Sequence, residues 1–144
     1  MRDIVPLGIG VSRFSGNTMK IPKSFTHPHV PDNRSACATL QRDASRVLRR
    51  FAGDLSLRQR DFDIRARRQR RHQVEVFSLH TETLCVQIAH GPDRNAASVS
   101  FRTCRGRGDM SGGRDNVVSL DSLDTPRGYT DLLTSLRAVA GRRG

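Results

Sequence analysis

The chain lacks most of the residues from which binding and catalytic sites are usually recognised. Its 144 residues include three cysteines, one tyrosine, six phenylalanines and no tryptophan. Three widely spaced cysteines exclude a disulfide scaffold and a metal site of the CxxC type. The scarcity of aromatic residues means that the core must be built mainly from aliphatic side chains. It also leaves few rings on which nucleobases can stack.

Long apolar runs are missing as well. The longest, residues 4–11, is interrupted by Pro6 and Gly8 and is far too short to span a bilayer. It is also a poor secretory signal, because no excess of positive charge precedes it and no small-x-small cleavage site follows it. We therefore expect a soluble intracellular protein without a membrane partner, located in the cytoplasm or, in a eukaryotic host, in the nucleus.

Lysine and glutamate are almost absent. Lys20 and Lys23 are the only lysines, Glu75 and Glu82 are the only glutamates, and arginine supplies the remaining positive charge. A GC-rich genome favours arginine codons, so mutational bias is one explanation of this composition. Selection for a polyanionic ligand is the other.

The positive charge is concentrated in one part of the chain. Residues 34–72 hold 12 arginines against 4 aspartates, a net charge of +8 out of +11 for the whole sequence. A local excess of this kind is typical of a surface that attracts phosphate or another polyanion.

The densest part of this excess is residues 65–71, where five of seven residues are arginine. The run has almost no apolar content, so we expect repulsion to keep it solvated, as the end of a helix or within a basic arm at residues 58–72. Contacts to a nucleic-acid backbone, a nuclear import signal and attachment to an acidic protein are the functional interpretations. A charged linker without a ligand is the structural alternative.

Residues 35–52 form the clearest helix of the first half, because apolar side chains recur there every three or four residues. Ser35 is the predicted N-cap and Gly53 the predicted C-terminal stop. The opposite side of the helix is basic, so the element presents an apolar face to a core and a basic face to solvent. The basic positions are Arg42, Arg46, Arg49 and Arg50.

The flanking regions complete the predicted fold. Residues 1–33 have no regular period and contain several prolines, which predicts an irregular or partly disordered segment. After residue 73, short runs rich in β-branched and aromatic residues predict strands, and Thr125-Pro126 begins a last helix at 126–140. The predicted strands are 74–79, 84–90, 99–104 and 117–120.

These elements predict a single two-layer α+β domain at residues 34–142. It has a small antiparallel sheet of three to four strands, with an N-terminal and a C-terminal helix on one side. A loop centred on residues 94–95 is expected to pair Ile88 with Phe101 and Cys85 with Cys104. The second pairing permits a cross-strand disulfide or a thiol pair.

The search for chemistry finds no reaction centre. His27 and His29 flank a proline, but the sequence around them offers no third or fourth metal ligand. The GxSxG, HExxH and paired-carboxylate motifs are missing. We predict no catalytic residue, no bound metal, no cofactor and no enzymatic activity.

The resulting hypothesis is a non-enzymatic basic protein that contacts the backbone of DNA or RNA, or another polyanion, through an arginine-rich surface. The alternative is a protein–protein interaction or secretion-accessory module, whose partner is another protein or a second copy of the chain. In this alternative the arginines supply solubility or steering. One continuous basic surface supports a binding site, whereas two opposed ones do not. The predicted contact residues are Arg42, Arg46, Arg49, Arg65, Arg67, Arg68, Arg70 and Arg71.

Overall fold

The computed structural model describes residues 20–140 except for 31, 70, 72, 93 and 107–114. Within these residues, three helices and five strands are formed. No described helix has the length and apolar character needed to cross a membrane. The elements are α1 (Arg34–Asp54), β1 (Asp63–Gln69), β2 (Val74–His80), β3 (Leu84–His90), β4 (Ser98–Thr103), β5 (Asn116–Val118), α2 (Leu120–Leu123) and α3 (Pro126–Ala140).

The five strands form one antiparallel sheet in which each strand pairs with the next along the chain. Successive side chains of a strand point to opposite faces, so each strand contributes alternate residues to the core. Phe77, Ile88 and Val99 lie in register across three strands and are buried. We call the face that carries them the inner face, and the opposite one the outer face.

Helices α1 and α3 cover the inner face. Helix α1 lies over β1 and β2, whereas α3 lies over β3 and β4. Their buried side chains join those of the strands in one apolar cluster. The predicted α+β class is therefore confirmed, with five strands rather than three or four.

The extra strand is β1, which contains most of the arginine run. Residues 63–69 do not form a solvated arm or a helix end, as the sequence predicts, but the outermost strand of the sheet. The strand forms because its backbone pairs with β2 over its whole length and Ile64 packs against the core. The extended conformation also sends neighbouring arginines to opposite faces, which reduces their mutual repulsion.

The ends of α1 differ from the prediction. The N-cap is Asn33 rather than Ser35, since the Asn33 side chain accepts the backbone N–H of Ala36 at 3.0 Å. Gly53 stays inside the helix, and the chain turns at Ser56, which has φ +59°.

The C-terminal turn of α1 is a Schellman motif. Ser56 N–H donates to Gly53 O at 3.0 Å, and Leu57 N–H donates to Ala52 O at 2.9 Å. These bonds satisfy two of the carbonyls that a helix end leaves without partners. They also place Ser56, rather than a glycine, in the left-handed region.

Helix α3 begins and ends where the sequence predicts. Thr125 Oγ1 accepts the backbone N–H of Gly128 at 3.1 Å and so caps the first turn. The Tyr129 hydroxyl donates to the Asp54 carboxylate, and the Arg50 guanidinium lies 5.1 Å from the centre of the Tyr129 ring. These contacts join α1 to α3.

The β3–β4 hairpin is displaced by two residues from the predicted register. Ile88 pairs with Val99 instead of Phe101, and Cys85 lies opposite Arg102 instead of Cys104. A displacement of two keeps every side chain on its predicted face. None of the three cysteines, all of them among the described residues, forms a disulfide. The predicted cross-strand cysteine pair is therefore wrong.

The segment before α1 is irregular apart from one 3₁₀ turn at Lys23–Phe25. Phe25 is nonetheless fully buried in the core. Its carbonyl accepts the N–H of Ala97 at 2.8 Å, just before β4 begins. The segment is thus attached to the domain. Residues 1–19 of the predicted irregular segment lie outside the described residues.

Candidate nucleic-acid interface

Strand alternation divides the arginine run between two faces. Arg65 and Arg67 lie on the outer face, whereas Arg68 lies on the inner side, opposite Glu75 in the β1–β2 ladder. Arg71 is exposed in the turn between the strands, and Arg70 is outside the described residues. The run therefore does not form one surface.

Two arginines of the run have acidic neighbours within the domain. Arg65 Nη2 is 3.4 Å from Asp63 Oδ2, and Arg68 Nη2 is 3.9 Å from Glu75 Oε2. Nearby carboxylates reduce the field that these guanidinium groups present to an external anion. The densest charge of the sequence is therefore partly balanced in the fold.

The outer face carries shallow depressions between its arginines, and no described helix covers it. One depression of about 470 Å³ lies between Arg67 and Arg94, and a second of about 360 Å³ lies between Arg65 and His80. Small and polar side chains such as Ser78 and Gln87 line the second. None of the outer-face positions on the described strands is Phe, Tyr or Trp, and His80 is the one ring among them, so this face is not a platform for stacked bases.

A second set of arginines lies on α1. Arg42, Arg46 and Arg49 are exposed on the side of the helix that points away from the sheet. Their spacing of four and three residues aligns them in one row about 10 Å long, at 1.5 Å per residue. None of the three has an acidic partner among the residues that the structure describes.

This side of α1 has almost no negative charge. The only acidic residue between positions 34 and 50 is Asp43, which is buried and accepts a hydrogen bond from Ser24 Oγ at 2.7 Å. Asp54, at the end of the helix, lies 3.5 Å from the Arg50 guanidinium. The three arginines of the row thus face solvent without an ion-pair partner among the described residues, and Asp43 lines a depression beside Arg46.

The two lysines of the chain lie beside this row. Lys20 and Lys23 line a depression of about 420 Å³ together with Asp43, Arg46 and Arg50. The sequence gives no sign of this proximity, because the lysines belong to the irregular segment and no spacing motif connects them to the helix. The combined patch, called the helix surface below, consists of Lys20, Lys23, Arg42, Arg46, Arg49 and Arg50.

The helix surface and the outer face lie on opposite sides of a two-layer domain. Arg42, Arg46 and Arg49 belong to the first, and Arg65 and Arg67 belong to the second. The single continuous surface that the sequence analysis considered is not formed, because β1 is part of the sheet instead of a free arm.

Comparison of the chain with models of protein families, with curated proteins and with solved structures finds no match.

Proposed function

We propose that the protein is a non-enzymatic nucleic-acid-binding protein whose helix surface contacts the sugar–phosphate backbone. The observation that carries the proposal is the row of Arg42, Arg46 and Arg49, which is exposed and has no acidic partner among the described residues. In the same proposal the protein acts inside the cell, where DNA and RNA are accessible.

The chemistry of the row suits phosphate. A guanidinium group donates two parallel hydrogen bonds to an anionic oxygen pair and stays charged at any physiological pH. A row of about 10 Å matches the axial rise of roughly three nucleotides of one duplex strand. Lys20 and Lys23 extend the positive field on one side of the row.

The outer face is a weaker candidate for the same ligand. Arg65 and Arg102 lie 3.4 Å and 3.7 Å from the carboxylates of Asp63 and Asp115. The arginines of β1 also have a structural explanation, since charged side chains on an edge strand hinder pairing with a second copy. The row of Arg42, Arg46 and Arg49 lies on a helix and protects no strand edge.

Backbone contacts of this type carry no direct base readout. We therefore expect similar affinity for different sequences and a steep loss of affinity with salt. For duplex DNA, each neutralised phosphate contributes about 0.9 to the slope of log K against log salt concentration. Three lost contacts lower that slope by about 2.7.

The test compares two triple variants of the full chain. Arg42→Gln/Arg46→Gln/Arg49→Gln removes the row, whereas Arg65→Gln/Arg67→Gln/Arg71→Gln removes three charges from β1 and the turn that follows it. Both lower the net charge from +11 by the same amount. Binding of a fluorescent duplex and of a single-stranded RNA is measured by anisotropy over a range of salt concentrations.

We expect the slope of log K against log salt concentration to fall by about two to three in the row variant and by less than about one in the β1 variant. An equal loss in both variants would show that only net charge matters. Undetectable binding of the unmodified chain to either nucleic acid at low salt would refute the proposal and favour the protein-interaction alternative.

A further inference from the structure

Three metal-ligating side chains meet where the irregular segment, α1 and the sheet come together. His29 comes from the segment, Cys37 from the first turns of α1, and Glu75 from the start of β2. His29 Nε2, Cys37 Sγ and a carboxylate oxygen of Glu75 all lie within 4.8 Å of one another. The sequence around His29 offers no further ligand, but the fold brings two from distant positions.

The fold holds the cluster in place from several sides. His29 is 5% exposed, and its ring centre lies 5.7 Å from that of His90. His90 Nε2 donates to the carbonyl oxygen of His27 at 2.6 Å, which attaches the segment to β3. Burial lowers the pKa of His90.

The arrangement is not that of a nucleophile with its base. Cys37 Sγ is 3.6 Å from His29 Nε2, and Glu75 Oε2 contacts the same ring nitrogen. In a catalytic triad the acid and the nucleophile lie at opposite nitrogens of the ring.

A bound metal ion explains why these three side chains converge. We propose that His29, Cys37 and Glu75 bind a divalent transition-metal ion of the zinc class. Tetrahedral zinc with ligands at about 2.0–2.3 Å has its ligand atoms roughly 3.3–3.8 Å apart. The separation of 3.6 Å between Cys37 Sγ and His29 Nε2 lies in that range.

The donor set selects the class of metal. A thiolate and an imidazole suit zinc or cobalt, whereas calcium and magnesium prefer oxygen ligands throughout. Three protein ligands leave the fourth position to water or another small ligand. The ion would tie the segment that carries Lys20 and Lys23 to α1 and β2, so its binding energy stabilises this part of the fold.

Arg68 is the cation beside this cluster. Its Nη2 atom lies 3.5 Å from Cys37 Sγ and 3.9 Å from Glu75 Oε2, and its side chain is 44% exposed. A bound metal ion repels the guanidinium group, which has room to turn towards solvent. Arg68 therefore competes with the metal for the two anionic ligands.

The test uses the untagged full chain, which is freed of metal by a chelator and kept reduced. It is titrated with Co²⁺ and then with Zn²⁺. We expect one Co²⁺ per chain, with the thiolate charge-transfer and d–d absorption bands of tetrahedral coordination, and displacement of these bands by Zn²⁺. Cys37→Ser, His29→Gln and Glu75→Gln should each weaken the affinity at least 10-fold. Cys85→Ala and His27→Gln are the matched controls and should bind as the unmodified chain does.

Arg68→Gln keeps all three ligands and removes the competing cation, so we expect it to bind Co²⁺ several-fold more tightly. Because this variant changes no ligand, its result does not depend on whether the ligand variants fold. Absence of tetrahedral Co²⁺ bands in the unmodified chain, or bands that persist at full strength in Cys37→Ser, would overturn the proposal. Weaker binding by Arg68→Gln would overturn the proposed competition.

Discussion

Of the described glycines, Gly128 is the one at which an added methyl group should lower the stability of the fold most. It is the third residue of α3 and lies against the turn that α2 forms. A Cβ atom at this position would lie 2.1 Å from the carbonyl oxygen of Ser122 and 2.6 Å from Thr125 Oγ1. The Ser122 atom belongs to the backbone and cannot move aside as a flexible side chain does. Gly128→Ala therefore requires α2 and α3 to separate.

The cost can be estimated from three terms. Forcing an extra carbon into a packed region costs about 1–3 kcal/mol. Displacing the Thr125 cap, which accepts the Gly128 N–H, costs about 1 kcal/mol more. The higher helix propensity of alanine offsets about 1 kcal/mol. We expect Gly128→Ala to lower the free energy of unfolding by about 1–3 kcal/mol.

Gly53→Ala is the matched control. Gly53 lies inside α1, and a Cβ atom there would have no atom within 4 Å. The same chemical change should therefore stabilise the protein by about 0.5–1 kcal/mol. Urea unfolding followed by far-ultraviolet circular dichroism measures both variants. If Gly128→Ala is as stable as Gly53→Ala, the close approach of α2 to the start of α3 is refuted.

Two further predictions concern stability. Ser56→Gly should raise the free energy of unfolding by about 1 kcal/mol in the same urea assay. Ser56 has φ +59°, and glycine has no Cβ atom to oppose that conformation. An unchanged free energy of unfolding would contradict the Schellman turn. Burial raises the pKa of Cys85 from 9.0 to about 11, so its stabilising contribution is complete below pH 9 and is lost as the pH rises towards 11. Between pH 8 and pH 10 this loss is on the order of 1 kcal/mol, and Cys85→Ala should remove it from the measured pH dependence. An unchanged dependence would count against the burial of Cys85.

The elements with strong local signals could be predicted from the sequence. Helix α3 has the predicted bounds because its cap, its proline and its apolar spacing all lie within the element itself. Strand β1 could not be predicted in this way. Its residues are mostly charged, and what makes them a strand is the ladder with β2 and the packing of Ile64.

In the candidate sites too, features with a local sequence signal could be predicted, whereas features that depend on packing could not. The helix row could be predicted, since Arg42, Arg46 and Arg49 share a face by their spacing alone. The approach of Lys20 to this row, and of Glu75 to His29, depends on how distant segments pack. No local pattern records such contacts, so they became visible only in the folded structure.

The order of the strands has a consequence for how the protein folds. Each strand of the sheet pairs with its neighbour in the chain, so no pairing has to close a long loop through other strands. A meander of this kind can grow one hairpin at a time from any starting pair, and its contacts are short in sequence. Contacts between distant parts of the chain are made by the helices, as between Tyr129 and Asp54, and by the segment before α1, as between Phe25 and Ala97. Completion of the native state therefore depends on the helices and this segment packing onto the sheet.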